Sequence, residues 1–128
     1  MEVEEIKKLV HQLDPTAYTD ENRLKQALKN GYLAKEYSQE GTLIGMGWIF
    51  PRHTLLRKQA VIEDMIVDEA FRGKGLGRKI LKDLIQWAKE QGVEVIELIT
   101  NPRRVAANEL YKSEGFKLHE TNHYLLRL

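Results

Sequence analysis

The chain has 128 residues, a length typical of one domain with a substantial hydrophobic core. Its 20 lysines and arginines nearly balance its 19 aspartates and glutamates, which excludes a global field that would attract nucleic acid or a membrane surface. The absence of cysteine excludes disulfides, cysteine nucleophiles and thiolate metal sites, and no apolar stretch is long enough to span a membrane. We therefore expect a single domain over residues 1–128, located in the cytoplasm, that needs no metal and binds neither nucleic acid nor a membrane.

The first half of the chain predicts two helices followed by three strands. Apolar residues recur at helical spacing over residues 3–13 and 24–28, and Asp14-Pro15 and Asn30-Gly31 follow as stop signals. The strands are predicted over residues 32–38, 43–50 and 59–67. Glycines at positions 45 and 47 lie on one face of the second strand, where another element can approach the backbone closely.

The second half predicts a helix, a strand, a second helix and a hairpin. A helix starts at about Gly77 and ends at Gly92, and a strand follows over residues 93–100. Asn101-Pro102 is a typical start for a helix that runs through residue 114, and residues 116–128 then supply a short hairpin. The order α-α-β-β-β-α-β-α-β-β predicts a mixed α+β layer architecture.

The junction after the third strand is rich in glycine and in cationic residues. Glycines at alternate positions allow several backbone N–H groups to point into one space, and the following helix adds its free N-terminal amides. This arrangement favours a phosphate or pyrophosphate ligand, and a tight turn that needs glycine for geometry alone is the alternative. The glycines are Gly73, Gly75 and Gly77, and the cations are Arg72, Lys74 and Arg78.

Spacing excludes two common phosphate loops. The nucleotide-hydrolase pattern G-x-x-x-x-G-K-[ST] fails because Arg78 stands five residues after Gly73. The dinucleotide pattern G-x-G-x-x-G fails because its third glycine falls on Arg78 or on Ile80, and because Thr100 ends the next strand in place of an acidic residue.

The pattern that fits is [RQ]-x-x-G-x-[GA], formed by Arg72, Gly75 and Gly77 directly after a strand. A second block of the form A-x-x-L-Y-x-x-x-G-F runs from Ala107 to Phe116. With both blocks in this order, the chain resembles the GNAT superfamily of acetyl-CoA-dependent N-acetyltransferases. The resemblance implies a mostly antiparallel central sheet with helices on both faces. It also implies that the fourth and fifth strands splay apart.

The resemblance also implies where acetyl-CoA binds. The pantetheine arm would pair with the backbone of the fourth strand at Met65, Ile66 and Val67. Asn108 would face the same cofactor, and a solvated helix residue is the alternative for it. The pyrophosphate would sit on the glycine loop. The implied pyrophosphate-binding residues are Arg72, Gly73, Lys74, Gly75, Gly77 and Arg78.

In the family the helix after the fifth strand commonly carries a general acid, which implies that Tyr111 protonates the departing CoA thiolate. A structural tyrosine is the alternative. A base must deprotonate the acceptor amine, and we favour Glu63, with Asp64 or a water molecule as alternatives. Because adjacent strand residues face opposite sides, we expect at most one of the two carboxylates to face the amine readily, and pairing with arginine or lysine is their structural alternative. His119 and His123 are outside candidates.

Two features depart from the family pattern. Arg104 stands where relatives often have a cofactor-contacting asparagine, and the first strand of the fold is absent before the helix at residues 3–13. The resemblance implies direct acetyl transfer to a primary amine of a small molecule or peptide. A noncatalytic acyl-CoA-binding domain and a phosphate-binding or protein-interaction module are the alternatives. Exposed edge strands are compatible with a homodimer.

Overall fold

Helices come first in the chain, and the strands follow with helices between and after them. The structure is a computed structural model that describes residues 2–128. A 3-10 turn over Glu69–Phe71 precedes the glycine loop. The helices are α1 (Val3–Leu13), α2 (Glu21–Leu28), α3 (Leu76–Glu90) and α4 (Val105–Ser113), and the strands are β1 (Tyr32–Tyr37), β2 (Leu43–His53), β3 (Lys58–Val67) and β4 (Val95–Leu98).

The four strands form one sheet in the order β1-β2-β3-β4. β1 pairs with β2 and β2 pairs with β3 in antiparallel fashion, as short connections allow. β4 lies parallel to β3, because α3 forms the crossover between them. The predicted mixed α+β class, with a mostly antiparallel sheet, is confirmed.

One face of the sheet packs on α3, whose apolar side chains Ile80, Leu81 and Leu84 are fully buried. The two glycines of β2 permit this close approach. A Cβ atom at Gly47 would lie 2.8 Å from Ile80 Cγ2 and 2.9 Å from Leu84 Cδ1, and one at Gly45 would lie 2.9 Å from Ile80 Cδ1. The element that approaches the glycine face of β2 is therefore α3.

The opposite face of the sheet packs on α1. Ile6 and Leu9 are buried there against Leu43, Met46 and Ile66 in a second apolar cluster. Helix α2 begins at an N-cap aspartate, Asp20, whose carboxylate accepts a hydrogen bond from the Arg23 amide at 2.9 Å. Helices therefore lie on both faces of the sheet.

Two predicted boundaries in the C-terminal part are wrong. Helix α4 begins at Val105 and not at Asn101, because the Asn101 side chain accepts a hydrogen bond from the Arg103 amide at 2.9 Å and so closes a local turn. The predicted hairpin over residues 116–128 does not form, and this segment contains no turn and no paired strand. It has neither glycine nor proline, and Asn122 near its middle forms no turn.

The remaining differences are shifts at the ends of strands. β2 continues three residues beyond its predicted end, to His53, and β4 is shorter than predicted at both ends. Among residues 2–128, no helix combines the length and the apolar character that crossing a bilayer requires.

Truncating the centre of the α3 interface tests this packing. We expect Leu84→Ala to lower the free energy of unfolding by about 2–5 kcal/mol, because it leaves a cavity where the side chain is fully buried. Leu55→Ala, at a fully exposed loop position, is the matched control and should change stability little. Urea unfolding followed by circular dichroism measures both, and equal effects would contradict the assignment of Leu84 to the core.

Candidate active site

The candidate site lies where β3 and β4 stop pairing. The two strands are hydrogen-bonded from Gln59 and Val95 up to Ile62 and Leu98. Beyond that register β3 continues to Val67 without β4 as a neighbour. The strands therefore separate, and one edge of β3 is left without a strand partner at the mouth of a cleft.

A bulge in β3 coincides with this separation. The register between β2 and β3 shifts between Met46 and Trp48, which pair with Ile66 and Glu63. The residue inserted in β3 is Asp64, whose φ of 54° makes it the non-glycine residue with positive φ among residues 2–128. Such a conformation is costly for a side-chain-bearing residue and is typical of functional sites.

The bulge changes where the two carboxylates point. Glu63 and Asp64 both line the same cavity between the separated strands. The strand alternation is therefore broken at this position, and which of the two carboxylates faces the acceptor amine stays a prediction.

This cavity has a volume of about 260 Å³. The β3 segment 62–65 forms one wall, and residues 98–101 after the pairing region form the opposite wall. Leu13 of α1 closes one side, and Arg104 and Tyr111 line the side toward α4. The cavity thus combines two carboxylates, a phenol and a guanidinium with apolar walls.

The carboxylates lack a cationic partner within the part of the chain that the structure describes. Burial raises the pKa of Glu63, and the neighbouring charge of Asp64 raises it further. Burial also raises the pKa of Asp64, although part of its surface stays open to solvent in the cleft. The alternative prediction, in which Glu63 and Asp64 form structural ion pairs with arginine or lysine, therefore does not describe this region.

Tyr111 reaches the cavity from α4. Its side chain is 6% exposed, and its ring packs against that of Phe116 in an edge-to-face contact with 6.1 Å between centroids. Burial raises the pKa of the Tyr111 phenol, and the positive charge of Arg104 opposes part of that shift. The phenol is therefore protonated at neutral pH and available as a proton donor.

A second, smaller cavity of about 50 Å³ lies between the sheet and helices α1 and α2. Its walls are apolar except for Asp64, which lines both cavities, and they include Leu24, Leu33, Met46 and Trp48. Asp64 therefore stands where the cleft and this apolar recess meet.

Two buried polar atoms near the site have no hydrogen-bond partner within residues 2–128. They are Oγ1 of Thr100, whose residue lines the larger cavity, and Nε1 of Trp48, whose residue lines the smaller one. A bound molecule would satisfy such groups. Sequence reasoning did not select either residue as a site candidate, and no motif in the sequence distinguishes them.

The glycine loop joins the end of β3 to α3. Gly73 and Gly75 have φ values of 80° and 81°, a conformation that glycine adopts without strain. A Cβ atom at either position would meet nothing within 4 Å, so the outer side of the loop is open. Gly75 is the N-cap of α3, which begins at Leu76, one residue before the predicted start. The loop and the free amides of α3 together form an anion-binding geometry.

The cationic side chains of the loop are partly engaged within the protein. Arg72 donates from Nε to the carbonyl oxygen of Val67 at 2.9 Å, which fastens the loop to the end of β3. Arg78 donates to Glu114, the residue directly after α4, at 2.6 Å. The Lys74 ammonium lies 5.2 Å from the centroid of the Phe71 ring.

The other predicted cofactor residues lie at the ends of the cleft. Met65 and Ile66 are buried in β3, and Val67 follows them. Asn108 donates from Nδ2 to the carbonyl oxygens of Asn101 and Arg104, at 3.1 and 2.8 Å, and so braces the turn before α4. The cofactor roles of these residues stay predictions.

The two histidine candidates are not part of this arrangement. His119 and His123 are exposed in the C-terminal segment and do not line the cavity. Among the described residues, no group of three or more histidines, aspartates or glutamates is placed to hold a metal ion.

Comparison with known proteins agrees with the fold and with the order of the motifs. The family model described as Acetyltransferase (GNAT) family matches residues 3–116. An uncharacterized N-acetyltransferase of Methanocaldococcus jannaschii is 35% identical over 72 residues, which cover 56% of this chain and 32% of that protein. The chain thus spans about a third of the length of this curated relative.

Solved structures share the fold at lower identity. An aminoglycoside acetyltransferase from an uncultured soil metagenomic sample superposes with a TM-score of 0.83 at 18% identity, covering 97% of this chain and 86% of that chain. Glucosamine-6-phosphate N-acetyltransferase from Arabidopsis thaliana gives a TM-score of 0.80 at 20% identity, covering 98% and 94%. With a family model matching 114 residues, this chain belongs to the GNAT family of acetyltransferases.

Proposed function

We propose that the chain transfers an acetyl group from acetyl-CoA directly to a primary amine. The observation that carries the proposal is the continuity of three features along β3. The open glycine loop, the unpaired edge of β3 and the cleft with its carboxylates and phenol follow one another in this order. An extended thioester cofactor has the shape to occupy all three at once.

The chain's own groups suggest how acetyl-CoA is held. The pyrophosphate would accept hydrogen bonds from amides of residues 73–78, where the positive end of the α3 dipole favours an anion. The pantetheine arm would pair with the backbone of residues 65–67, whose outer edge has no strand partner. This placement directs the thioester toward the cleft between Glu63 and Tyr111.

The proposed reaction uses one proton acceptor and one proton donor. Glu63, or Asp64 or a water molecule in its place, takes a proton from the acceptor ammonium, and the free amine attacks the thioester carbonyl carbon. A carbon–nitrogen bond forms, the carbon–sulfur bond breaks, and the Tyr111 phenol protonates the departing CoA thiolate. The raised pKa of the carboxyl group brings it closer to that of the amine it must deprotonate.

The acceptor is proposed as an amine of a small molecule or peptide. Two negative carboxylates without a cationic partner attract an ammonium group, and the apolar recess beside Asp64 suits an apolar part of the same molecule. Two structural neighbours carry names of amine-bearing acceptors, an aminoglycoside and glucosamine 6-phosphate. The cytoplasmic location and the single domain over residues 1–128 stay predictions.

Charge reversal in the glycine loop tests cofactor binding. We expect Lys74→Glu to weaken acetyl-CoA binding roughly 30-fold, because it replaces an attraction to the pyrophosphate of about 1 kcal/mol with a repulsion of similar size. Lys89→Glu is the matched control. Lys89 is exposed in the last turn of α3, about 20 Å from the end of the helix that meets the glycine loop. Isothermal titration calorimetry measures both, and an absence of saturable binding by the unaltered protein would reject the proposal.

Removing one hydroxyl tests the proton donor. We expect Tyr111→Phe to lower the rate of free CoA release with an amine acceptor by a factor on the order of 10²–10⁴, with acetyl-CoA affinity retained. The phenyl ring keeps the contact with Phe116, so the unfolding midpoint serves as a control for the fold. An unchanged turnover rate would assign Tyr111 a structural role, and tight cofactor binding without turnover by the unaltered protein across an amine panel would favour a noncatalytic acyl-CoA-binding domain.

The raised pKa of Glu63 makes a prediction that does not depend on activity. A carboxyl group whose folded pKa lies above its unfolded value binds its proton more tightly when folded, so it favours folding at low pH, and that contribution is lost as pH rises through the folded pKa. We therefore expect Glu63→Gln to be more stable than the unaltered protein at neutral pH, with a gain that shrinks as pH falls through this window. Chemical unfolding at several pH values measures the gain, and a Glu63→Gln variant less stable at pH 7 would contradict it. Glu40→Gln, at an exposed turn, is the control.

A further inference from the structure

The smaller of the two cavities, which we call the α2 recess, lies between helix α2 and the sheet. Its walls are apolar side chains from α1, α2, β1 and β2, together with Asp64. Asp64 also lines the larger cavity, where Glu63 and Tyr111 lie. One carboxylate-bearing residue is thus common to the recess and to the proposed amine site.

Helix α2 faces the recess with apolar side chains that the protein does not fully bury. Leu24, Ala27 and Leu28 recur at helical spacing and all line the recess, and each is only partly buried. The structure describes every residue of α2, and none of them is fully buried. On the same side of the sheet, Ile6 and Leu9 of α1 are at most 2% exposed. The apolar face of α2 therefore has room for packing partners that a ligand could supply.

The volume of the recess limits the size of such a ligand group. A cavity of about 50 Å³ holds roughly four water-sized groups, since each needs about 10–15 Å³. A compact aliphatic group of about four carbon atoms therefore fits. A hydroxyl group placed there would lose its hydrogen bonds to water and would meet walls that are apolar except at Asp64. The recess thus favours aliphatic groups over hydroxylated ones.

We infer that the acceptor is a primary amine that carries a compact aliphatic group of this size. Its ammonium group binds at the carboxylates of Glu63 and Asp64, and its aliphatic group enters the α2 recess beside Asp64. This inference rests on the proposed acetyl transfer and names the class of its acceptor. A small free amine and the N-terminal residue of a peptide with an aliphatic side chain share this chemistry.

Ala27 is the specificity-determining residue in this arrangement. It has the smallest side chain that α2 directs to the recess, so a larger residue at this position would occupy the volume that the aliphatic group needs. Selectivity of this kind is strong for small groups, because a single methylene in an apolar pocket changes kcat/KM by roughly 10–200-fold.

Steady-state acetylation of matched amines tests the acceptor class. We expect isoamylamine to exceed ethanolamine and glucosamine in kcat/KM by roughly tenfold or more, because its branched chain fills the recess. Methylamine has no group to place there and gives the reference rate. A peptide that begins with leucine separates the two sources of this chemistry: a higher kcat/KM than that of isoamylamine assigns a peptide N-terminus, and a lower one assigns a free amine.

Variants of α2 test the location of the aliphatic group. Ala27→Phe should lower kcat/KM for isoamylamine roughly tenfold or more and leave that for methylamine unchanged. Gln26→Phe places the same side chain at the neighbouring, exposed position of α2 and is the matched control. Leu28→Ala enlarges the recess and should raise kcat/KM for phenethylamine relative to isoamylamine, a change that loss of folding could not produce.

Calorimetry separates failure of this inference from failure of the proposed function. Isoamylamine should bind the unaltered protein more tightly than ethanolamine does, and Ala27→Phe but not Gln26→Phe should weaken this binding. Such binding without turnover of any amine would reject the acetyl transfer and retain the recess as a site for this class of amine. Turnover without preference for isoamylamine, or an equal loss in the Ala27→Phe and Gln26→Phe variants, would overturn the inference and leave the acetyl transfer intact.

Discussion

Parallel pairing between β3 and β4 ends at Ile62, and the chain inserts one extra residue into β3 directly afterwards. The left-handed backbone at Asp64 costs on the order of 1–3 kcal/mol, and the surrounding pairs hold it in place on both sides. Because a bulge bends and twists its strand, it turns β3 away from β4 and opens the cleft. The same insertion brings Glu63 and Asp64 to one cavity. Backbone strain, cleft and carboxylate pair thus have one structural origin.

The supports of this cleft come from packed elements that contact one another. Gly47 lies opposite the bulge on β2, and its missing side chain lets α3 pack within van der Waals contact of the sheet. The start of α3 is fastened to the end of β3 by Arg72 and to the end of α4 by the ion pair of Arg78 with Glu114. The walls of the cleft are therefore connected through the element that carries the glycine loop. A ligand bound at the loop and a group bound in the cleft would therefore be held by the same connected set of elements.

The sequence was most informative where glycine or a fixed spacing was required. The glycine loop and the block ending in Gly115-Phe116 predicted the family, because few other residues fit a positive φ or a helix end at those positions. The bulge was not predictable, since Asp64 sits within an apolar run that reads as a continuous strand. The start of α4 was missed because Asn101 can cap a turn as well as a helix.

The C-terminal segment is a second case in which the sequence did not predict the structure. Strand structure was expected there in the form of a short hairpin over residues 116–128, and the segment contains no paired strand. The two-residue side-chain repeat of a strand does not specify its partner, because a strand acquires its hydrogen bonds only from a neighbouring strand. The prediction of a hairpin supplied that neighbour from within the segment, although no glycine or proline was present to make the turn.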